Sequence, residues 1–554
     1  MRATERGDLW WKTAVVYCLD VETFMDWNDD GSGDFEGLAN RLDHLAELGV
    51  TCIWLMPFQP SPDQDDGYDI VDFFGVDPRL GSLGDVVAFT RAARDRGMRV
   101  IMDLVMNHTS DRHPWFTSAK RGRNAPYRDF YVWRDEIPPN PPESVFPGEE
   151  DGVWEWHEAT EQYYLHSFYR HQPDLNIANP EVRDEIAKTV GFWLQLGFSG
   201  FRVDAVPFLI EPPAGEDIGD PHELMRDLRR YLQRRASEAI LLGEVNLPYD
   251  QQLEYFGAEG DPEELTLQFD FEAMQRLYLS LARHDATALR ETLARRPQLQ
   301  PEKQWANFVR NHDELTLDKL SDAEREEVFD AFAPEDWMRV YGRGIVRRLP
   351  PMLEGDPRRI RMVYSLLFSL PGTPVLFYGE EIGMGENREQ EKRQAVRTPM
   401  QWTGGRHGGF SRAAPSRLAA SPPADGYAPE HVSVEAQMHD PDSLLAAMRG
   451  FITRYRSSPE IGWGRFELLD VGEPAVLAHR ITEDQLRFVA LHNFAPRPVR
   501  VTLELDDLPE EAVLSDLFAV DADRIDDRGR IDVELEAYGY RWFRVLAPGD
   551  RRLT

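Results

Sequence analysis

Cysteine is nearly absent: the 554 residues hold two, Cys18 and Cys52. A disulfide framework is thereby excluded as a source of stability, and neither cysteine stands at metal-ligand spacing. Both lie in strand-like apolar runs, which predicts two buried thiols on neighbouring strands. Lysine is scarce too. Six occur (Lys12, Lys120, Lys188, Lys303, Lys319 and Lys392) among 62 basic residues, against 97 acidic ones. The formal net charge of −35 sets up a field that repels nucleic acid and anionic membranes, so neither is expected as a partner. Excess acid with little lysine fits an enzyme working in a salty cytosol; it fits equally an arginine-rich genome with a solvated acidic surface. No apolar run reaches the length of a membrane span, and residues 1–8 hold no apolar signal core. A cytoplasmic protein is the expectation.

What the chain does contain is a repeating alternation. With 42% hydrophobic and 11% aromatic residues it can bury a large core, and its length allows two or three domains. A strand-like run at 14–21 is followed by Phe35, Leu38, Leu42, Leu45 and Leu48 at helical spacing, ending near Gly49. Further strand runs fall at 52–57, 99–105, 200–206, 240–245, 265–271, 305–309 and 374–378. Eight such units with helices between them predict an α/β fold, a closed (β/α)8 TIM barrel formed by 1–108 and 180–458. Residues 109–179, rich in aromatics, proline and charge, break the rhythm and read as an irregular inserted domain after the third strand. Residues 404–430 read as a long loop and 442–456 as a helix. From 459 to 554 the pattern changes to short strands, predicting a C-terminal antiparallel β-sandwich domain.

Acidic residues stand at the ends of the predicted strands, where a (β/α)8 barrel keeps its chemistry. Asp204 ends GFRVD (200–204), Glu244 ends LLGE (241–244) and Asp313 follows Asn311 and His312. Arg202 precedes Asp204 by two residues, so both side chains share a strand face and the arginine can hold the carboxylate ionised. An isolated Arg-Val-Asp run reads first as a structural ion pair. Glu244 follows apolar residues that desolvate it, which raises its pKa and suits a general acid. Two carboxylates facing one glycosidic bond suffice for retaining sugar chemistry. Residues 26–34 (DWNDDGSGD) place oxygen side chains at alternate positions with glycine at the turns, like the start of an EF-hand loop, which points to Ca2+ or Mg2+.

These segments, with DLVMNH (103–108) and QPDLN (172–176), resemble glycoside hydrolase family 13, the α-amylase family, over essentially the whole chain. The resemblance implies Asp204 as nucleophile, Glu244 as acid/base and Asp313 as transition-state stabiliser. It implies that His108 and His312 bind hydroxyls of the transferred sugar, that Tyr68 stacks on it, and that Asp65 closes the pocket beyond it. Gln172, Arg202, Glu314 and Arg397 join the substrate-binding set. In the family, the 26–34 loop holds its ion through Asp26, Asn28, Asp30, Asp34 and the carbonyl of Ser32. A second ion is implied between Asn107 and Asp174, with Glu211. Both ions would be structural, and no organic cofactor is implied. Segments 168–176, 310–317, 344–349 and 369–385 look most like the branch that isomerises maltose to trehalose. The alternative is an α-glucosidase acting on short α-glucosides. The implied partner is a disaccharide or oligosaccharide, and a homo-oligomer is left open. Segments 17–24, 385–392 and 404–430 depart from the branch's pattern, and loops of this kind are expected to control access of water.

Overall fold

In the computed structural model, residues 9–210, 220, 222–257, 263–506, 508, 511–519, 522–525 and 529–547 are described. Eight strands close a parallel barrel: β1 (Val16–Leu19), β2 (Cys52–Leu55), β3 (Arg99–Leu104), β4 (Gly200–Val203), β5 (Ile240–Gly243), β6 (Leu267–Phe269), β7 (Gln304–Phe308) and β8 (Thr373–Phe377). Each pairs with its sequence neighbours, and Val16 beside Val375 closes the ring between β1 and β8. The strands are buried almost throughout, because helices cover their outer faces; this is why they read as continuous apolar runs and not as alternation. Cys18 and Cys52 are free, buried and on paired strands, as expected.

Local chemistry sets the helix limits. Ser82 and Asp85 form a reciprocal capping box at the start of the Leu83–Asp95 helix. Asn179 caps Pro180–Gln195 and Asp356 caps Pro357–Ser369, each with proline at the first helical position. The Leu42–Leu48 helix stops at Gly49, whose φ of 98° needs a residue without Cβ. The first strand is shorter than its apolar run: Asp20 accepts the Glu22 N–H and starts a helical turn, Val21–Phe24.

The insertion is more regular than its composition suggests. It holds a helix, Pro114–Ala119, and a three-stranded antiparallel sheet of Trp133–Arg134, Gln162–Leu165 and Trp154–His157. Strands of two to four residues carry too little periodicity to be read, and here packing among Phe116, Trp133 and Tyr164 holds them. The C-terminal region pairs a six-stranded antiparallel sheet with a two-stranded one, Val499–Glu504 and Arg530–Leu535. Their facing residues, among them Val476, Val489, Val501, Leu503, Val533 and Phe543, form a separate core. This β-sandwich docks on the barrel through Trp542, whose indole N–H donates to Ser365 Oγ at 2.9 Å, and through Arg544, whose guanidinium donates to Ser458 Oγ at 2.8 Å. Among the described residues no helix is long and apolar enough to cross a membrane.

Candidate active site

The C-terminal ends of β3, β4 and β5 converge on one guanidinium. Arg202, fully buried on β4, reaches Asp103 at 2.7 Å and Asp204 at 2.5 Å through Nη1, and Glu244 at 2.8 Å through Nη2. The two-residue spacing of Arg202 and Asp204 thus does put them on one face. Asp103, quoted in the third-strand motif but given no role from the sequence, is a third carboxylate on that arginine. Trp54 of β2 donates its indole N–H to Asp103 at 2.8 Å. Directly after Asp204 the backbone turns left-handed at Ala205 (φ 49°), and the Ala205 N–H donates to Glu244 Oε2 at 3.2 Å. A non-glycine residue in that region is strained, and here the strain aims a donor at Glu244.

A second set of cations surrounds Asp313. Arg393 lies 3.1 Å and Arg397 3.2 Å from Asp313 Oδ1, and His312 Nε2 is 3.2 Å from Oδ2. Arg397 also donates to the His312 carbonyl at 2.9 Å and to Asp66 at 2.5 Å. Arg393 gives its Nε–H to Glu314 at 2.8 Å. Tyr68 and His312 lie nearly coplanar, 7° apart, with Tyr68 Oη 2.6 Å from His312 Nε2. Gln172 donates to Asp65 at 2.8 Å. His108 is buried with Nε2 unpartnered among the described residues, so that nitrogen is unspent.

The environments separate the acids electrostatically. Burial pushes Glu244 up to about 7, against the pull of Arg202 and with help from the charges of Asp204 and Asp313. Burial also raises Asp204, but Arg202 limits it to about 6. Burial works the same way on Asp313, yet Arg393, His312 and Arg397 outweigh it and hold the group well below the usual carboxylate range. Glu244 and Asp204 are thus raised towards neutrality and Asp313 is lowered; Glu244 and Asp313 line a cleft of about 500 Å³ with Asn246, Phe208, Glu314 and Arg393 among others, and Ala205, next to Asp204, lines it too.

Residues 20–331 and 347–462 match the family described as "Alpha amylase, catalytic domain". The chain belongs to the α-amylase family, glycoside hydrolase family 13. Residues 486–544 match a "Sucrose hydrolase-like, C-terminal domain". Among its relatives, the trehalose synthase of Pimelobacter sp. (strain R48) is 39% identical, the match covering 97% of this chain and 96% of that protein. The trehalose synthase/amylase TreS of Mycobacterium tuberculosis (strain ATCC 25618 / H37Rv) is 38% identical, over 98% of this chain and 93% of its own length. Among solved structures, α-amylase from H. orenii superposes with a TM-score of 0.77 at 27% identity, covering 96% of this chain and 99% of that one. Isomaltulose synthase from Klebsiella sp. LX3 does so with a TM-score of 0.77 at 26% identity, covering 97% and 99%.

Several assignments made from family 13 motifs shift in three dimensions. Nothing in the sequence marks Arg393 among the arginines, or Asp66 beside Asp65. It is Asp66 that binds Arg397, while Asp65 faces Gln172. The 404–430 loop, expected to govern water access, packs elsewhere: Ala419 N–H donates to the Gly31 carbonyl at 2.9 Å and Ser411 Oγ to Asp26 at 2.5 Å, and no residue of this loop lines the cleft. Gly31 (φ 109°) must be glycine here, because a Cβ would meet the Arg417 carbonyl at 1.9 Å. The implied second ion pair of ligands, Asn107 and Asp174, do meet, at 3.1 Å, as a hydrogen bond, and Ser167 N–H and Oγ also donate to Asp174. Glu211 lies outside the described residues. In the 26–34 loop, Asp26 accepts from Asp29 N–H (2.7 Å) and Gly31 N–H (2.9 Å), Asn28 from Asp30 N–H (2.9 Å), Asp30 from Ser32 N–H (2.9 Å) and Asp34 from Gly37 N–H (2.7 Å). Among the described residues the acidic trio with oxygens within 4.8 Å of one another is instead Asp20, Glu22 and Asp66. Two of the three are paired with arginines: Arg79 binds Glu22 at 2.6 Å and Arg397 binds Asp66.

Proposed function

We propose that the chain isomerises maltose to trehalose by retaining α-glucosyl transfer, with Asp204 as nucleophile, Glu244 as acid/base and Asp313 as stabiliser of positive charge at the anomeric carbon. The observation that carries this is the single Arg202 guanidinium shared by Asp204 and Glu244: it keeps the two carboxyl groups close, as double displacement requires. Asp204 attacks C1 of the non-reducing glucose; the C1–O4′ bond breaks and Glu244 gives its proton to the departing oxygen. The freed glucose turns in the cleft. Its own α-anomeric hydroxyl then attacks C1, Glu244 takes the proton and the bond to Asp204 breaks. Two inversions leave an α,α-1,1 linkage. The full-length similarity to proteins named trehalose synthase supports this choice of acceptor.

Product analysis tests it. Purified protein incubated with maltose should accumulate trehalose in excess of glucose. Glucose alone would overturn the isomerase reading in favour of the α-glucosidase one, the name carried by a Rhizobium meliloti relative 32% identical over 83% of this chain. The pH dependence is a second test. Turnover needs Asp204 ionised and Glu244 protonated. Activity should therefore fall below about 6, as Asp204 takes a proton, and above about 7, as Glu244 loses one, the two limbs belonging to the coupled pair. A kcat/KM flat to about pH 9 would remove Glu244 as the acid.

The 26–34 loop offers only oxygen donors, which fits a hard divalent cation, and we assign Asp26, Asn28, Asp30, Asp34 and the Ser32 carbonyl to Ca2+ or Mg2+ in a structural role. Chelation should lower the melting temperature by a few degrees, and added Ca2+ should restore it. An unchanged melting curve would make the loop a solvated turn. The Asn107–Asp174 position is a weaker ion site on the same reading, since burial raises Asp174 to about 7 and so favours its neutral form. On this reading Asp65, Tyr68, His108, Gln172, Arg202, His312, Glu314 and Arg397 form the substrate-binding set, of which Glu314 lines the cleft of about 500 Å³.

A further inference from the structure

A second cavity, of about 550 Å³, lies between the acidic loop at 26–29 and the 403–412 segment, and no residue lines both it and the catalytic cleft. Three arginines line it: Arg41, Arg406 and Arg412. Arginines in this acidic chain are mostly spent on carboxylates; Arg202 serves three and Arg79 another three. These three form no ion pair among the described residues. Arg41 lies over the Trp402 ring (4.3 Å), places one N–H on Met25 Sδ at 3.5 Å, and leaves its buried Nε without a partner. Arg406 donates its Nε–H to the neighbouring His407 ring at 3.0 Å. Arg412 is anchored by its backbone N–H, on Asp29 Oδ1 at 3.2 Å. The acids at the cavity are Asp26 and Asp29, and Asp26 is already occupied by two backbone N–H groups and Ser411 Oγ.

An unsatisfied guanidinium N–H in a buried position costs free energy that an anionic ligand would recover. Arg41 and the exposed Arg406 and Arg412 line one cavity, and guanidinium forks suit a phosphate, whose oxygens take paired N–H groups. At the rim stands Trp27, the most exposed large hydrophobic residue described, at 52%. Its flat apolar face suits the C–H face of a sugar ring. Between the lining residues Arg406 and Gly409 the chain runs through His407, Gly408 and Gly409, three consecutive residues at positive φ (52°, 67° and 70°). Holding histidine there is strained, and such strain persists only where surrounding structure imposes it. The segment is also part of the 404–430 stretch in which the sequence departs from its branch.

We propose that this cavity binds a phosphorylated sugar, the phosphate held by Arg41, Arg406 and Arg412 and the ring stacked on Trp27. Its volume is within the range of small-ligand sites. The test is calorimetry on the full-length Asp204→Asn protein with glucose 6-phosphate, inorganic phosphate, adenosine 5′-monophosphate and glucose as probes. Glucose 6-phosphate should bind at least about tenfold more tightly than inorganic phosphate or the nucleotide, and the double variant Arg406→Gln/Arg412→Gln should weaken it at least about tenfold. Trp27→Ala should bring glucose 6-phosphate down to the affinity of inorganic phosphate and leave the latter unchanged. In the Asp204-containing enzyme the arginine double variant should turn over maltose at the parental rate. Binding that the double variant does not weaken, no binding of glucose 6-phosphate at about 10 mM, or tighter binding of the nucleotide would each overturn the proposal. Because the readout is binding in a catalytically disabled chain, its failure is separate from any failure of the maltose reading.

Discussion

Asp204→Ala should lower kcat on maltose by about 10⁴-fold or more while the protein stays folded. The size of the effect follows from chemistry. Without a carboxylate on the far side of C1 no covalent intermediate forms, and a neutral side chain cannot stabilise the developing cation. The fold should persist because Arg202 keeps two of its three partners, Asp103 and Glu244. Removing the Asp204 charge also removes one of the terms that raise Glu244, so any residual activity should lose its alkaline limb at lower pH than the parent. With α-glucosyl fluoride as donor and azide added, the small anion should fill the vacated space and attack C1 from the nucleophile's side, giving β-glucosyl azide with inversion. Retention of maltose turnover within about tenfold, or an α-configured azide product, would remove Asp204 from the nucleophile role.

Arg202→Met should be the most damaging change that leaves every carboxylate in place. The guanidinium is buried and holds three acids at 2.5–2.8 Å. Breaking a buried ion pair by deleting one partner typically costs about 3–5 kcal/mol, and here three acids lose the same partner. The acids answer by binding protons. Asp204 and Asp103, already raised to about 6 by burial, lose the main influence opposing that rise. A carboxyl whose pKa is higher folded than unfolded destabilises the fold as pH rises through that range, so the stability deficit should be largest near pH 8 and shrink as pH falls through about 6. Protonated Asp204 is a poor nucleophile, so kcat near neutrality should fall about 10³-fold and its acidic limb should move upward. Urea denaturation across pH, together with the pH–rate profile, separates this from generic unfolding. A stability loss independent of pH, or a kcat within tenfold of the parent, would show that the arginine is a packing element only.

The barrel was readable because its eight strands are buried on both sides and so write themselves as continuous apolar runs. Asp204 and Glu244 were readable because each directly follows such a run, Asp313 lies further on, past Arg310, Asn311 and His312, and Arg202 was readable because strand geometry repeats every two residues. The inserted sheet was not, since strands as short as Trp133–Arg134 leave no periodic trace and depend on aromatic packing with Phe116 and Tyr164. Nor could the partners of the loop residues be read. Arg397 and Asp66 are separated by 331 positions, and Arg393 and Glu314 by 79. The 404–430 loop was expected near the cleft and lies instead on the acidic loop, where Gly31 admits its backbone.

The residue types and their order along the chain determined the fold class, the family and the identity of the acids. They did not determine the charge that each acid carries. Glu244 and Asp204 follow apolar runs, share Arg202 and are both raised by burial, whereas Asp313 follows Arg310, Asn311 and His312. What sets Asp313 apart from the other two is the arrangement of Arg393, His312 and Arg397 around it, brought from different strands and loops. Electrostatic interaction depends on distance through the folded interior, which sequence separation does not encode. Tertiary structure alone therefore decided which acid holds its proton and which gives it up.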